Sequence, residues 1–184
     1  MLMDSSPFWS WDESSVTYGG YCPDADLQME DVYSAEGLTW LRFCHDEHLT
    51  LAEIGKWVAS IFATVWFRNR YPRVRGIAVH DGRGSPKPRG WRDDDICHMH
   101  LPRPTRHRLT ILHELTHGLA FDAHGPEFCA NYLALVKRFM GHDQWADLRD
   151  NFVMLRIKHR RPRQVEWVDP TTGEIVWLEH HQCV

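Results

Sequence analysis

The feature that most constrains this chain is a pair of histidines separated by three residues, in the stretch LHELTHGLAFDAHGPEF at residues 112–128. Residues four apart on a helix lie on the same face, one turn apart. His113 and His117 can therefore direct their imidazoles at a single zinc ion. Glu114 lies beside them and is placed as the base that takes a proton from zinc-bound water. The spacing predicts a helix that carries two metal ligands and a catalytic carboxylate.

A third ligand is needed, and His124, Asp122 and Glu127 all lie close downstream. If the helix continued unbroken, His124 would lie about 10.5 Å along the axis from His117, which is too far for both to bind one ion. The helix must therefore end between residues 120 and 123 for His124 to bind. No glycine lies in that interval, so we expect Asp122 to form the turn, because aspartate tolerates a left-handed backbone. We favour His124 as the third ligand and keep Asp122 and Glu127 as alternatives.

The chain of 184 residues is long enough for one domain with its own core. Residues 1–28 are rich in Ser, Asp and Gly but also carry aromatics, which predicts an irregular N-terminal arm that packs on other residues. Residues 29–157 hold the metal motif and form the predicted hydrolase domain. Residues 158–184 are predicted to form a basic linker and a C-terminal β-hairpin with a D-P-T-T-G turn.

Apolar spacing and capping signals place the other elements of the domain. The pattern predicts an α+β fold, in which strands and several further helices accompany the helix that carries the metal motif. The predicted helices cover residues 30–45, residues 50–69 after a T-L-A-E capping box, a segment from about Thr105, a segment from Pro126, and residues 144–152. Two strands are expected around the Gly/Pro-rich loop, in VRGIAVHDGRG and WRDDDICHMHLP.

The second of these strands, residues 96–101, alternates in character. Cys97, Met99 and Leu101 fall on one face, which we expect to be the core, and His98 and His100 share the other. If this strand borders the cleft, His98 or His100 could contact substrate or steady an oxyanion. An extended peptide could also pair with it as an edge strand.

The net charge and the cysteine content limit which partners and which cellular compartment we expect for the protein. The net charge of −4 argues against a protein that coats nucleic acid, although the basic run Arg156–Arg163 offers a local contact. The longest apolar run, residues 57–67, is too short to span a bilayer, so we expect no membrane partner. Five scattered cysteines without a C-x-x-C pair fit reduced thiols, and we expect a cytoplasmic protein.

The motif and its continuation resemble a known family. HELTH followed by HGPEFCANYLALVKRFMG, with DVYSAE at residues 31–36 and the HDGRG turn, is similar to small zinc metallohydrolases of actinobacteria and their phages. The pattern is more distantly similar to SprT-like zinc peptidases, although the cysteine zinc ribbon that these often carry is missing. The resemblance covers residues 30–157 and implies a zincin-like α+β fold, in which a small mixed β-sheet is combined with an active-site helix and packing helices. It also implies that zinc is held by His113, His117 and His124, with Glu114 as base.

These observations together predict a zinc-dependent hydrolase with one catalytic Zn²⁺, most directly a metallopeptidase that acts on a peptide or protein substrate. Two alternatives stay open. The chain could be a non-catalytic binding or adaptor protein with a structural or vestigial zinc site. It could also be a peptidase associated with nucleic acid in the SprT manner, which would show salt-sensitive DNA binding.

Overall fold

The computed structural model describes residues 27–159 and the backbone of two short strands near the C-terminus, β4 (Glu166–Val168) and β5 (Ile175–Trp177). Within the described residues the fold is a mixed α+β arrangement of a three-stranded sheet and six α-helices, so the predicted fold class is confirmed at this level. The helices are α1 (Met29–Phe43), α2 (Leu51–Ala63), α3 (Val65–Arg70), α4 (Arg108–His117), α5 (Pro126–Phe139) and α6 (His142–Met154). A 3₁₀ turn, Arg103–Thr105, precedes α4.

The predicted helix over residues 50–69 begins as expected but is divided into two. The Thr50 hydroxyl accepts from the Glu53 amide, and the Glu53 carboxylate accepts from the Thr50 amide, so the capping box is present. Thr64 then adopts an extended backbone, which ends α2. Its hydroxyl accepts from the Phe67 amide and so caps α3. A side chain that satisfies the first amides of a helix favours a new start at that position.

The sheet contains three strands where the sequence predicts two. The strands are β1 (Gly76–Asp81), β2 (Arg89–Asp93) and β3 (Ile96–Leu101), in the order β1-β3-β2. β1 pairs parallel and β2 antiparallel with β3, which makes the sheet mixed as predicted. Asp94 has a φ of 50° in the turn between β2 and β3, and this left-handed residue turns the expected single strand into a hairpin.

The position of β3 corrects one expectation. β3 is hydrogen-bonded to a neighbouring strand on both sides, so its backbone has no unpaired edge. The prediction that a peptide pairs with residues 96–101 is therefore wrong. The edges of this sheet, within the described part of the chain, are β1 and β2. The alternation along β3 is confirmed, since Cys97, Met99 and Leu101 are fully buried while His98 and His100 are partly exposed.

One face of the sheet carries the helices. Ile77 and Val79 of β1, which pair with core residues of β3, line a groove with α2. α4 packs across β2 and β3 on this same face, α5 packs against α4, and α6 packs against α5 and α1. The core between them is apolar and includes Met99, Leu109, Leu112, Leu115, Phe128, Tyr132 and Phe152. None of the helices in the described ranges has the length and apolar character required to cross a membrane.

Several predictions fall largely outside the described residues. These are the N-terminal arm, apart from residues 27 and 28, and the basic run beyond residue 159. β4 and β5 pair antiparallel, and the turn between them lies outside the described residues as well. The cysteines within the described ranges, Cys44, Cys97 and Cys129, are unpaired and buried.

Candidate metal centre

Helix α4 carries the H-E-x-x-H motif and lies at the centre of the fold. His107 caps its start, where the ring Nδ1 accepts from the Thr110 amide at 3.4 Å. Every residue from Leu109 to Thr116 is buried, so the helix is surrounded on all sides. His113 is 1% exposed and His117 is partly exposed, which places the opening of the site at the C-terminal end of α4.

The helix ends earlier than the sequence analysis expects. Its last residue is His117 and its C-cap is Gly118, with one further turn formed as Leu119 and Ala120 donate to the carbonyl of Thr116. Glycine has low helix propensity, and a Cβ at position 118 would lie 2.6 Å from the sulfur of Cys97. The helix therefore stops where α4 comes closest to β3.

The turn before His124 also differs in detail. The left-handed residue is Ala123, with a φ of 49°, rather than Asp122 as expected. Asp122 contributes through hydrogen bonds: its carbonyl accepts from the Gly125 amide at 2.7 Å. A Cβ on Gly125 would lie 2.4 Å from the Asp122 carboxylate, so only glycine fits the tight turn that follows His124.

The two acidic alternatives for the third ligand have other roles. The carboxylate of Asp122 accepts from the amides of Glu127 and Phe128, at 2.7 and 2.9 Å, and so caps the first turn of α5. Glu127 itself lies in that first turn, where a negative charge is favoured by the helix dipole. Neither carboxylate joins the cluster of candidate ligands formed by His113, His117 and His124.

The three histidine rings converge on one point. The Nε2 atom of His113 lies 3.2 Å from Nε2 of His117 and 3.2 Å from Nε2 of His124. Zn–N bonds of about 2.0–2.1 Å at tetrahedral angles place ligand nitrogens about 3.3 Å apart. Three such nitrogens around one point could hold a metal ion, and the donor set and its spacing fit zinc.

A buried carboxylate from α1 sets the orientation of the first ligand. Oε2 of Glu36 lies 2.7 Å from Nδ1 of His113, although the N–H direction falls outside regular hydrogen-bond geometry. The other carboxylate oxygen accepts from the Thr110 hydroxyl at 3.1 Å. A carboxylate at Nδ1 keeps the proton there and leaves Nε2 as the metal-binding nitrogen. Sequence analysis did not identify Glu36 as part of the site.

The pKa values of His113 and His117 are shifted in opposite directions. Burial acts to lower the pKa of His113, but the Glu36 carboxylate outweighs it and the pKa is raised. Burial, together with His113 and His124, holds the pKa of His117 well below its ordinary value. His117 therefore presents a neutral imidazole, which is the form that binds a metal.

Tyr33, one helical turn before Glu36, covers the centre. Its ring stacks on His113, with centroids 5.2 Å apart and planes inclined by 16°, and lies 5.1 Å from the ring of His124. Burial and the charges of Glu114 and Glu36 raise the pKa of Tyr33 to about 12, so its hydroxyl stays a donor. Tyr33 is 48% exposed and forms part of the rim of the site, a role that sequence analysis missed.

Glu114 lies in a dry environment beside the histidines. Its pKa is raised to about 7, because burial and the charge of Glu36 outweigh His113 and a hydrogen bond from the Gly90 amide, which both act to lower it. Gly90 belongs to the edge strand β2, and a Cβ there would lie only 1.8 Å from the Glu114 carbonyl oxygen. The absence of a side chain at Gly90 thus lets the sheet edge lie directly against α4.

The backbone of His124 is anchored by residues at both ends of the described segment. Gln28 donates to the His124 carbonyl at 2.7 Å, and the Cys129 thiol donates to the same oxygen at 3.4 Å. Gln28 also exchanges hydrogen bonds with the backbone of Lys158. Gln28 was assigned to the arm, but it is buried and holds the third ligand in place.

His98 and His100 lie on the sheet face opposite α4. His98 forms a group of nearly parallel rings with His80 and Trp91, with centroids 5.1–6.1 Å apart. Its Nδ1 lies 3.0 Å from Nε2 of His80. The structure does not bring His98 or His100 together with the three metal-site histidines, and their contact with substrate stays a prediction.

Comparison with protein-family models, curated proteins and solved structures found no match to this chain.

Proposed function

We propose that the protein is a zinc-dependent hydrolase with a zincin-like active site, most directly a metallopeptidase. One observation carries this proposal: three imidazole nitrogens converge within one coordination sphere, next to the buried carboxylate that follows the first ligand in sequence. Structural zinc sites are closed by four protein ligands, whereas catalytic sites have three. The cluster found within the described residues has three, which favours catalysis over a purely structural site.

Zinc in such a site polarises a carbonyl and makes a water molecule acidic enough to attack at neutral pH. Glu114 accepts the proton of the attacking water and delivers it to the leaving amine. A pKa near 7 suits a group that must both accept and donate a proton.

The edge strand β2 offers a place for an extended peptide. Among the described residues β2 pairs with β3 alone, and Gly90 brings it against Glu114. A peptide that pairs with the open edge would present its backbone beside the metal centre. The other parts of the proposal are a cytoplasmic location and membership of the zinc metallohydrolases that the sequence resembles.

The test is metal analysis of the purified protein, followed by cleavage of a peptide library by the wild type and by Glu114→Gln. Glutamine has the same shape as glutamate but cannot accept the proton. We expect Glu114→Gln to contain one zinc per chain, like the wild type, and to lose turnover by several orders of magnitude. Equal rates for the two proteins would refute the role of Glu114. A zinc-loaded wild type that cleaves no peptide would favour a binding protein.

A further inference from the structure

Arg92 is a partly buried cation on the edge strand that forms the wall of the proposed cleft. Its guanidinium carbon lies 4.3 Å from the centroid of the Phe121 ring. Within the described residues no carboxylate forms an ion pair with it, whereas Arg75, at the other edge of the same sheet, pairs with Asp95 at 3.6 Å. A cation that is partly removed from water without a counter-ion is available for an anionic ligand.

The register of the sheet places Arg92 beside the metal centre. Alternation puts Arg92 on the same face as Gly90, two residues earlier, and Gly90 lies against Glu114. Across the ladder Arg92 pairs with Cys97, whose side chain contacts Gly118, immediately after the metal ligand His117. Arg92 therefore lies about 7 Å along the strand from Gly90, the residue that contacts Glu114, and toward the C-terminal end of α4.

Phe121 holds the Arg92 side chain in position. It lies in the loop that joins the second and third metal ligands, His117 and His124, and it is 51% exposed. The guanidinium lies over the face of this ring, a contact that orients arginine while its N–H groups at the edge stay available. The cation is thus fixed at the rim between edge strand and ligand loop.

We propose that Arg92 is a specificity-determining residue that binds a carboxylate of the substrate, close to the bond that is cleaved. This inference rests on the proposed peptidase function and adds the substrate class. A guanidinium presents parallel N–H donors that match a carboxylate, and it does so best where water is partly excluded. The carboxylate belongs either to an acidic side chain or to the C-terminus of the peptide.

The experiment uses zinc-loaded full-length protein and peptides that differ in one group. One series replaces Glu by Gln at each position near the cleavage site, and a second compares a free with an amidated C-terminus. We expect the wild type to prefer one carboxylate-bearing peptide by about tenfold or more in kcat/KM, mainly through KM. The series in which the preference appears identifies the source of the carboxylate.

Variants assign the preference to Arg92. Arg92→Gln is expected to cleave both peptides of the pair at similar rates, and Arg92→Lys to keep part of the preference because it keeps the charge. Arg89→Gln is the matched control, since Arg89 is exposed on the opposite face of the same strand. Binding of the same peptides to Glu114→Gln, measured by fluorescence anisotropy, gives a readout that does not depend on turnover.

The two proposals fail in different ways. If the wild type cleaves acidic and neutral peptides equally well, the role of Arg92 is refuted and the peptidase function stands. The same holds if Arg92→Gln and Arg92→Lys both keep the full preference, or if Arg89→Gln loses it. If zinc-loaded wild type neither cleaves nor binds any of the peptides, both proposals are overturned.

Discussion

Replacement of Glu36 by glutamine tests whether a carboxylate on α1 sets the metal affinity of a histidine on α4. Glutamine keeps the size of the side chain and one carbonyl oxygen, and it removes the charge that faces Nδ1 of His113. The zinc ligands themselves stay in place. Any change in zinc affinity therefore reports on the orientation and basicity of His113, not on the number of ligands.

The structure gives the expected size of the effect. Glu36 is 8% exposed, and its Oε2 atom lies 2.7 Å from His113, so the contact is shielded from water. Contacts to a charged group of this kind contribute about 1.5–3 kcal/mol. Loss of a hydrogen-bonding partner behind a metal ligand weakens metal affinity about 10–100-fold, or about 1.4–2.7 kcal/mol. We expect the zinc Kd of Glu36→Gln to rise by this factor.

The assay is competition for zinc with a chelating dye at constant pH. Glu30→Gln is the matched control, because Glu30 lies on the same helix, carries the same charge and is exposed. The control is expected to bind zinc like the wild type, and near-UV circular dichroism checks that both variants fold. A zinc Kd for Glu36→Gln equal to that of the control would show that the short contact does not orient His113.

Three further changes test the architecture of the site. Gly90→Ala should lower the free energy of unfolding by at least about 1–3 kcal/mol, because its Cβ would meet the Glu114 carbonyl, whereas Gly55→Ala, which has open space around it, should leave thermal stability unchanged or higher. Asp122→Ala should cost about 1 kcal/mol in urea unfolding by removing the cap of α5, and an unchanged midpoint would contradict that role. Tyr33→Leu should release zinc to a chelator several-fold faster than Tyr33→Phe, which keeps the stacked ring; equal rates would exclude a role for the stacking.

Local signals in the sequence predicted most helices. The capping box at Thr50 and the proline at position 126 act on amides within one turn, so their effect needs no knowledge of the rest of the fold. The break at Thr64 was missed because apolar spacing continues across it from Ile61 to Val65. β2 was missed because its sequence, RGWRD, is mostly charged and lacks the apolar alternation of a strand.

The histidine cluster could be predicted because it depends on short-range geometry. Spacing on one helix identifies His113 and His117, and the length of a continuous helix shows that His124 needs a turn before it. The identity of the turn residue could not be predicted in this way. The Asp122 side chain is engaged with the amides of the next helix, and Ala123 is the residue that adopts the left-handed backbone. Ala123 has no polar side-chain group that would compete for those hydrogen bonds.

The residues that support the ligands depend on long-range packing and were not predicted. Glu36 and Thr110, which share a hydrogen bond, are 74 residues apart in sequence. A signal was present, since Glu36 falls on the apolar face of α1 together with Val32 and Ala35, and a carboxylate on a buried face requires a partner. The sequence does not show which residue is the partner of Glu36, because that contact forms only when α1 packs against α4.

Helix α1 thus links the metal centre to the assembly of the fold. It carries Glu36, which faces His113, and Tyr33, which stacks on the same imidazole and contacts His124. The H-E-x-x-H helix alone would present two histidines whose rings rotate freely. Once α1 is docked, one ring is held by a carboxylate at its edge and an aromatic ring on its face, so Nε2 can point only at the shared centre. The geometry of the histidine cluster is therefore a property of the packing between two helices as much as of the three histidines themselves.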